Sequence, residues 1–215
     1  MIKINSLNKS YPKTQVFSDF SLEIEKGKVT CILGESGSGK TTLLNVLAGL
    51  TDYSGQVDKV DCSYVFQTPN LFPNLTARQN LELVCKDKEK IQALAKDFRI
   101  DQKLDSYPKH LSGGQCQRVA LLRGVLFDSQ VLLMDEPFSS LDLKVKSLVI
   151  ERLKSMLKEQ SRTVLMVTHD IKEAVALADR IVVLVDGKIV FDLKEIKENT
   201  ENQLFGILMQ NSKEN

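Results

Sequence analysis

The stretch Gly34-Glu35-Ser36-Gly37-Ser38-Gly39-Lys40-Thr41 follows the apolar run Val29 to Leu33 and precedes a helix-like segment from Lys40 to Leu50. Strand, glycine-rich turn and helix in that order is the context a phosphate-gripping loop needs, and it commits the chain to an α/β fold. Glycines 34, 37 and 39 lack the Cβ atoms that would block a tight anion-wrapping turn, so the N–H groups through Glu35, Ser36 and Ser38 can converge on phosphate oxygens. Lys40 adds a point charge near the β and γ phosphates. Thr41 offers a hydroxyl to Mg²⁺, and Thr42 continues a helix whose positive end faces the same anion.

A phosphate loop alone says only that a nucleotide binds. The reaction is set by Val131-Leu132-Leu133-Met134-Asp135-Glu136, an apolar strand ending in two acids. Asp135 is placed beside the phosphate loop to hold Mg²⁺, and Glu136, one residue on, to polarise an attacking water, so hydrolysis of ATP is expected. A third element, Leu111-Ser112-Gly113-Gly114-Gln115, opens a helix running through Arg118 and Val119 to about Val125. Ser112 with the Gly113 and Gly114 backbone makes a second anion-binding helix end.

Around these motifs the pattern is mixed. Ile2 and Ile4, then Phe20, Leu22 and Ile24, alternate with polar residues, predicting an antiparallel β layer. From about Thr76 to Val125 the periodicity turns helical, with Pro69, Pro73 and Pro108 as breaks. Strands resume at Val131 to Met134 and Thr163 to Thr168. Between them Val145, Leu148, Val149, Leu153, Met156 and Leu157 mark a helix face. Asp186-Gly187 predicts a hairpin between Ile181 to Val185 and Lys188 to Phe191, and the end after about Lys194 a small helix or frayed tail.

The net charge of +1 comes from acids and bases spread along all 215 residues, which argues against a nucleic-acid partner. The longest apolar runs are far too short to span a bilayer, and the first residues carry no secretion signal, so a cytosolic protein that reaches a membrane only through a partner is expected. Cys31, Cys62, Cys85 and Cys116 are widely spaced and are read as reduced apolar fillers.

With its LSGGQ peptide at residues 111–115, the chain resembles the ATP-binding cassette (ABC) ATPase family. The resemblance implies a P-loop cassette with a RecA-like parallel β/α core, an N-terminal antiparallel β layer and an inserted helical subdomain. The core and β layer would take about residues 1–67 and 126–215, and the subdomain about 68–125. It implies that Ser112, Gly113, Gly114 and Gln115 reach the γ-phosphate of ATP bound to the opposite copy of a head-to-tail homodimer. By the same resemblance, Tyr11 stacks on adenine and Gln67 touches Mg²⁺ and the attacking water. Asp142, in Ser140-Leu141-Asp142, belongs to the loop through which the copies sense each other, and His169 is the switch histidine at the γ-phosphate. Two positions depart from the pattern: Cys116 stands where a polar residue is usual, and the stretch Gly55 to Phe66 is short.

Shortened versions of that stretch resemble importers of the nitrate, sulfonate, taurine and thiamine-precursor group. Glu136-Pro137-Phe138-Ser139-Ser140-Leu141-Asp142 also resembles the form common in prokaryotic importers. The implied partners are two transmembrane permease subunits and an extracytoplasmic substrate-binding protein, with the chain peripheral on the cytoplasmic face of the plasma membrane. Leu71, Phe72 and Leu75, an apolar cluster in a proline-bearing connector, are expected to line a groove for a permease helix. An extra C-terminal regulatory β domain is not expected. An exporter ATPase of the lipid or macrolide type and a soluble clamp protein stay open as other readings.

Overall fold

The computed structural model describes residues 1–211. Strands β1 (Ile2–Tyr11) and β2 (Thr14–Ile24) pair antiparallel, β3 (Val29–Leu33) leaves them for a second sheet, and β4 (Ser54–Val57) returns to the free edge of β1. The three-stranded layer, in the order β2-β1-β4, is the antiparallel layer that the alternating N-terminal pattern predicts.

The second sheet adds β5 (Cys62–Val65), β6 (Val131–Asp135), β7 (Thr163–Thr168), β8 (Arg180–Val185) and β9 (Lys188–Leu193) to β3, in the order β5-β6-β7-β3-β8-β9. All neighbours run parallel except the β8–β9 hairpin, which turns at Asp186-Gly187. Strands buried on both faces read as continuous apolar runs, which is why β3, β6 and β7 were legible as strands without any alternation. The period-two pleat nevertheless divides their side chains. Ile32, Leu133, Val167 and Val182 pack toward α1 (Lys40–Leu47) and the antiparallel layer, whereas Cys31, Met134, Met166 and Val183 face the remaining helices.

Those helices are α2 (Ala77–Glu82), α3 (Lys88–Asp97), α4 (Gly113–Leu126), α5 (Leu143–Gln160), α6 (Ile171–Leu177) and α7 (Thr200–Asn211). Ala77, Leu81, Ile91 and Phe98 of the helical segment share one apolar cluster with Leu33 and Met134 of the sheet. Residues beyond 211, the last part of the expected tail, lie outside the described residues.

A helix boundary and a helix face differ from the sequence expectation. Helix α1 stops at Leu47 rather than Leu50, because Gly49 turns left-handed (φ +67°) and the N–H groups of Gly49 and Leu50 fold back onto Val46 and Asn45. On α5, Val149, Leu153, Met156 and Leu157 are buried as expected, but Leu148 is 43% exposed and Ile150 is buried in its stead. Burial at 149, 150, 153, 156 and 157 is the stripe of a 3.6-residue period, which leaves position 148 at its edge.

Helix α4 is held at its end by a side chain from a distant strand junction. Arg162 is buried, and its guanidinium donates to the carbonyls of Val125 at 2.9 Å and Phe127 at 2.8 Å and to the hydroxyls of Ser63 and Ser129. Carbonyls that the last helical turn cannot satisfy thereby gain charge-assisted partners.

Candidate active site

Because β5, β6, β7 and β3 are adjacent and parallel, whatever follows their carboxyl ends is gathered at one rim of the sheet. Gln67 follows β5, Asp135 and Glu136 close β6, Thr168 and His169 close β7, and the glycine-rich loop leaves β3. A crevice outside the carboxyl ends of parallel strands is where α/β sheets bind ligands. Here it is a cavity of about 250 Å³ lined by Val16, Ser36, Gly37, Gly39, Lys40, Thr41, Thr42, Gln67, Asp135 and Glu136.

The loop is shaped by its surroundings as well as by its own residues. Gly39 is the N-cap of α1 at φ +106°, and a Cβ there would come within 2.9 Å of the Phe17 ring. No side chain caps this helix and no acid lies in its first turn, so its opening N–H groups and dipole are left for an external anion. The Gly187 N–H donates to the Ser38 carbonyl at 3.2 Å, so the β8–β9 turn braces the loop from behind.

Lys40 is buried, and its Nζ donates to the loop's own carbonyls, Gly34 at 2.7 Å and Glu35 at 2.8 Å. Burial pulls its pKa below the ordinary lysine value, while the charges of Glu136 and Asp135 oppose that shift. Asp135 moves the other way: burial raises its carboxyl, offset by the Thr41 hydroxyl, and its Oδ1 is buried without a hydrogen-bond partner. Beneath them, burial pushes the Cys31 thiol far up, with Glu173 and Glu136 adding to the effect, so this cysteine stays protonated at neutral pH.

Glu136 is buried with its backbone left-handed at φ +46°, and its Oε1 lies 2.9 Å from Nδ1 of His169. The imidazole itself is largely exposed.

The other expected site residues stand apart from this cavity. Tyr11 is exposed at the end of β1, with the Lys9 ammonium 4.8 Å from its ring centroid. Ser112 and Gln115 cap α4 reciprocally: Ser112 Oγ accepts the Gln115 N–H at 3.3 Å and Gln115 Oε1 accepts the Ser112 N–H at 2.8 Å. Gly114 passes so close to the next loop that a Cβ would sit 2.7 Å from the Ser140 carbonyl oxygen. Asp142 caps α5 through the Val145 N–H at 3.1 Å. Cys116 packs with its Sγ 3.6 Å from the Pro108 carbonyl oxygen, so a polar side chain is dispensable for the local fold.

Sequence reading passed over Val16, which lines the cavity from β2, and Tyr64, which hydrogen-bonds Asn45 at 3.1 Å and has its hydroxyl beside Asp135. Their one sequence signal was position: Val16 adjoins the buried Phe17, and Tyr64 lies three residues before Gln67.

A glycine cradle on β3, a lysine folded into it and an acid pair on the next strand but one define a P-loop nucleotide-binding domain. A family model described as "ABC transporter" matches residues 17–139. The chain is 37% identical over 198 residues to an aliphatic sulfonates import ATP-binding protein of Pseudomonas savastanoi pv. phaseolicola, an alignment covering 90% of this chain and 74% of that one. It is 40% identical over 196 residues to a thiamine import ATP-binding protein of Shigella sonnei, covering 81% of this chain and 84% of that one. Among solved structures, the ATP-binding cassette MJ0796, a dimer bound to ADP and Pi, superimposes with a TM-score of 0.81 at 29% identity, covering 92% of this chain and 99% of that one. The chain belongs to the ABC transporter family, as an ATP-binding ATPase cassette.

Proposed function

We propose that this ATPase energises a binding-protein-dependent importer of a small solute, working as a homodimer with two permease subunits at the cytoplasmic face of the membrane. The observation that carries the reading is the convergence of Lys40, Gln67, Asp135 and Glu136 on one cavity at the strand ends. The import function of its relatives gives the direction of transport. No helix among the described residues is long and apolar enough to cross a membrane, in keeping with attachment through a partner.

In this reading the opening N–H groups of α1 and Lys40 bind the phosphates. For Lys40 this means exchanging the carbonyls of Gly34 and Glu35 for a better acceptor. Glu136, steadied by His169, accepts a proton from water as the oxygen attacks the γ-phosphorus, and the bond to the β-γ bridging oxygen breaks. Among the described residues no group of three His, Cys, Asp or Glu is placed to hold a metal ion. Mg²⁺ needs no such cage, since it keeps waters and takes phosphate oxygens with one or two protein ligands. The orphaned Oδ1 of Asp135, the Thr41 hydroxyl and the Gln67 amide fit it, and there it would neutralise phosphate charge. Outside the cavity, Ser112 to Gln115 complete the site from a second copy, Tyr11 stacks on adenine, and Asp142 lies in the loop where the copies meet. The helical segment at about 68–125 then acts as the subdomain that swings Ser112 to Gln115 into place.

The connector cluster divides by exposure. Leu71 packs on the core and Leu75 is half-buried, but Phe72 is 54% exposed and lies against the Arg123 guanidinium, 5.8 Å from its ring centroid. Phe72 is therefore the side chain offered to the permease. Phe72→Ala is expected to lower permease stimulation of ATP turnover by about tenfold, the scale of an interface aromatic worth roughly 1–2 kcal/mol. The check is turnover with and without the membrane subunits in proteoliposomes; undiminished stimulation removes Phe72 from the interface. Uptake, rather than efflux, of solute by the same vesicles tests the direction.

A further inference from the structure

Behind Glu136 a set of buried polar side chains meets that neither the phosphate loop nor the acid pair accounts for. While Oε1 of Glu136 faces His169, its Oε2 lies 3.4 Å from the Thr168 hydroxyl. That hydroxyl accepts the Asp170 N–H at 3.1 Å and donates to Oε2 of Glu173 at 2.7 Å. Glu173, on α6, has a side chain only 4% exposed, and its Oε1 is 2.5 Å from Nζ of Lys146, which also lies 3.6 Å from Asp170. Lys146 belongs to the start of α5, directly after the Ser140-Leu141-Asp142 loop.

A buried ion pair of this kind contributes little net stability, and apolar side chains of the same volume serve packing as well. Its position is more telling. A threonine hydroxyl carries one hydrogen, and two carboxylate oxygens lie within its sweep. The shorter contact takes it, so the hydrogen points at Glu173 and away from Glu136.

We infer that Thr168 is a positioning residue for Glu136, with the Lys146–Glu173 pair fixing the direction in which its hydroxyl points. The inference rests on the proposed role of Glu136 as the acid that polarises water. Held this way, Thr168 limits where the Glu136 carboxylate can turn while leaving Oε2 to accept the proton of the attacking water; a methyl in place of the hydroxyl strips the Asp170 N–H and Glu173 Oε2 of their partner, so the wall behind the carboxylate shifts. Lys146 supplies the charge that lets a second carboxylate sit so near the first. Without the pair the hydroxyl turns its hydrogen to Glu136, and the acid becomes a poorer base.

The test is steady-state hydrolysis of Mg-ATP by the full chain, with kcat and KM separated. Thr168→Val, close in shape, is expected to lower kcat about tenfold or more with KM within about twofold of the parent, and Thr168→Ser to restore most of the loss. A kcat for Thr168→Val equal to the parent's, or a serine variant as impaired as the valine one, overturns the inference. If the valine variant does not fold, the double variant Lys146→Met, Glu173→Gln keeps an acceptor for Thr168 while removing both charges. It should lose severalfold in kcat at unchanged KM, and parental kcat overturns the inference equally. Glu136→Gln, assayed alongside, separates the two levels: a stalled Glu136→Gln with a fully active Thr168→Val rejects the positioning role alone, whereas a fully active Glu136→Gln rejects the role of the acid itself.

Discussion

Glu136→Gln is expected to bind ATP normally and to lose turnover by about 10²-fold or more, as removal of a general base does. The substitution keeps size and hydrogen bonding toward His169, whose Nδ1 lies 2.9 Å from Oε1, but leaves no group to take a proton from water. ATP then stays intact between two copies, so the variant should elute as a dimer with ATP and as the apo species without it. Phosphate release and size-exclusion chromatography read the two effects separately. Parental turnover by this variant would reject Glu136 as the acid.

Lys40→Ala is expected to fail one step earlier. Its ammonium is the buried charge nearest the glycine cradle, poised on the carbonyls of Gly34 and Glu35. A charge-assisted bond of about 1.5–3 kcal/mol corresponds to nucleotide affinity weaker by about 10- to 150-fold, and turnover falls with it. Titration calorimetry with ATP measures the first loss and phosphate release the second. Because the Gly187 N–H still braces the Ser38 carbonyl and the first α1 bond, Leu43 N–H to the Gly39 carbonyl, needs no lysine, the variant should stay folded. Unaltered affinity would remove Lys40 from the phosphate site.

These two residues were legible in the sequence because their signals are local. A glycine-rich turn between strand and helix, and an apolar strand ending in acids, each lie within ten residues, and the order of elements follows from periodicity. What periodicity could not give was the lateral order of strands. Only with β7 between β3 and β6 do Thr168 and His169 come beside Glu136, and only with β5 next to β6 does Tyr64 reach Asp135. Lys146 and Glu173 carry no pattern at all in the sequence, since the bond between them spans 27 positions. Arg162 was invisible for the same reason, because the carbonyls it satisfies belong to a helix ending more than thirty residues earlier. Leu148 shows the opposite error: an apolar residue near a helix stripe reads as core, while a shift of one position leaves it outside. Phe72 stood out as an apolar residue in a connector, but its separation from Leu71 and Leu75 came only with their packing.

The left-handed backbone at Glu136 carries a consequence for stability. A side chain at positive φ is strained by roughly 1 kcal/mol, and glycine at the same place is not. Replacing Glu136 by glycine should therefore give a protein about 1 kcal/mol more stable than the alanine replacement, the reverse of their usual ranking, while both are equally impaired in ATP turnover. Paired melting curves would show that this fold tolerates a conformationally disfavoured residue at the one place where a carboxylate is most useful.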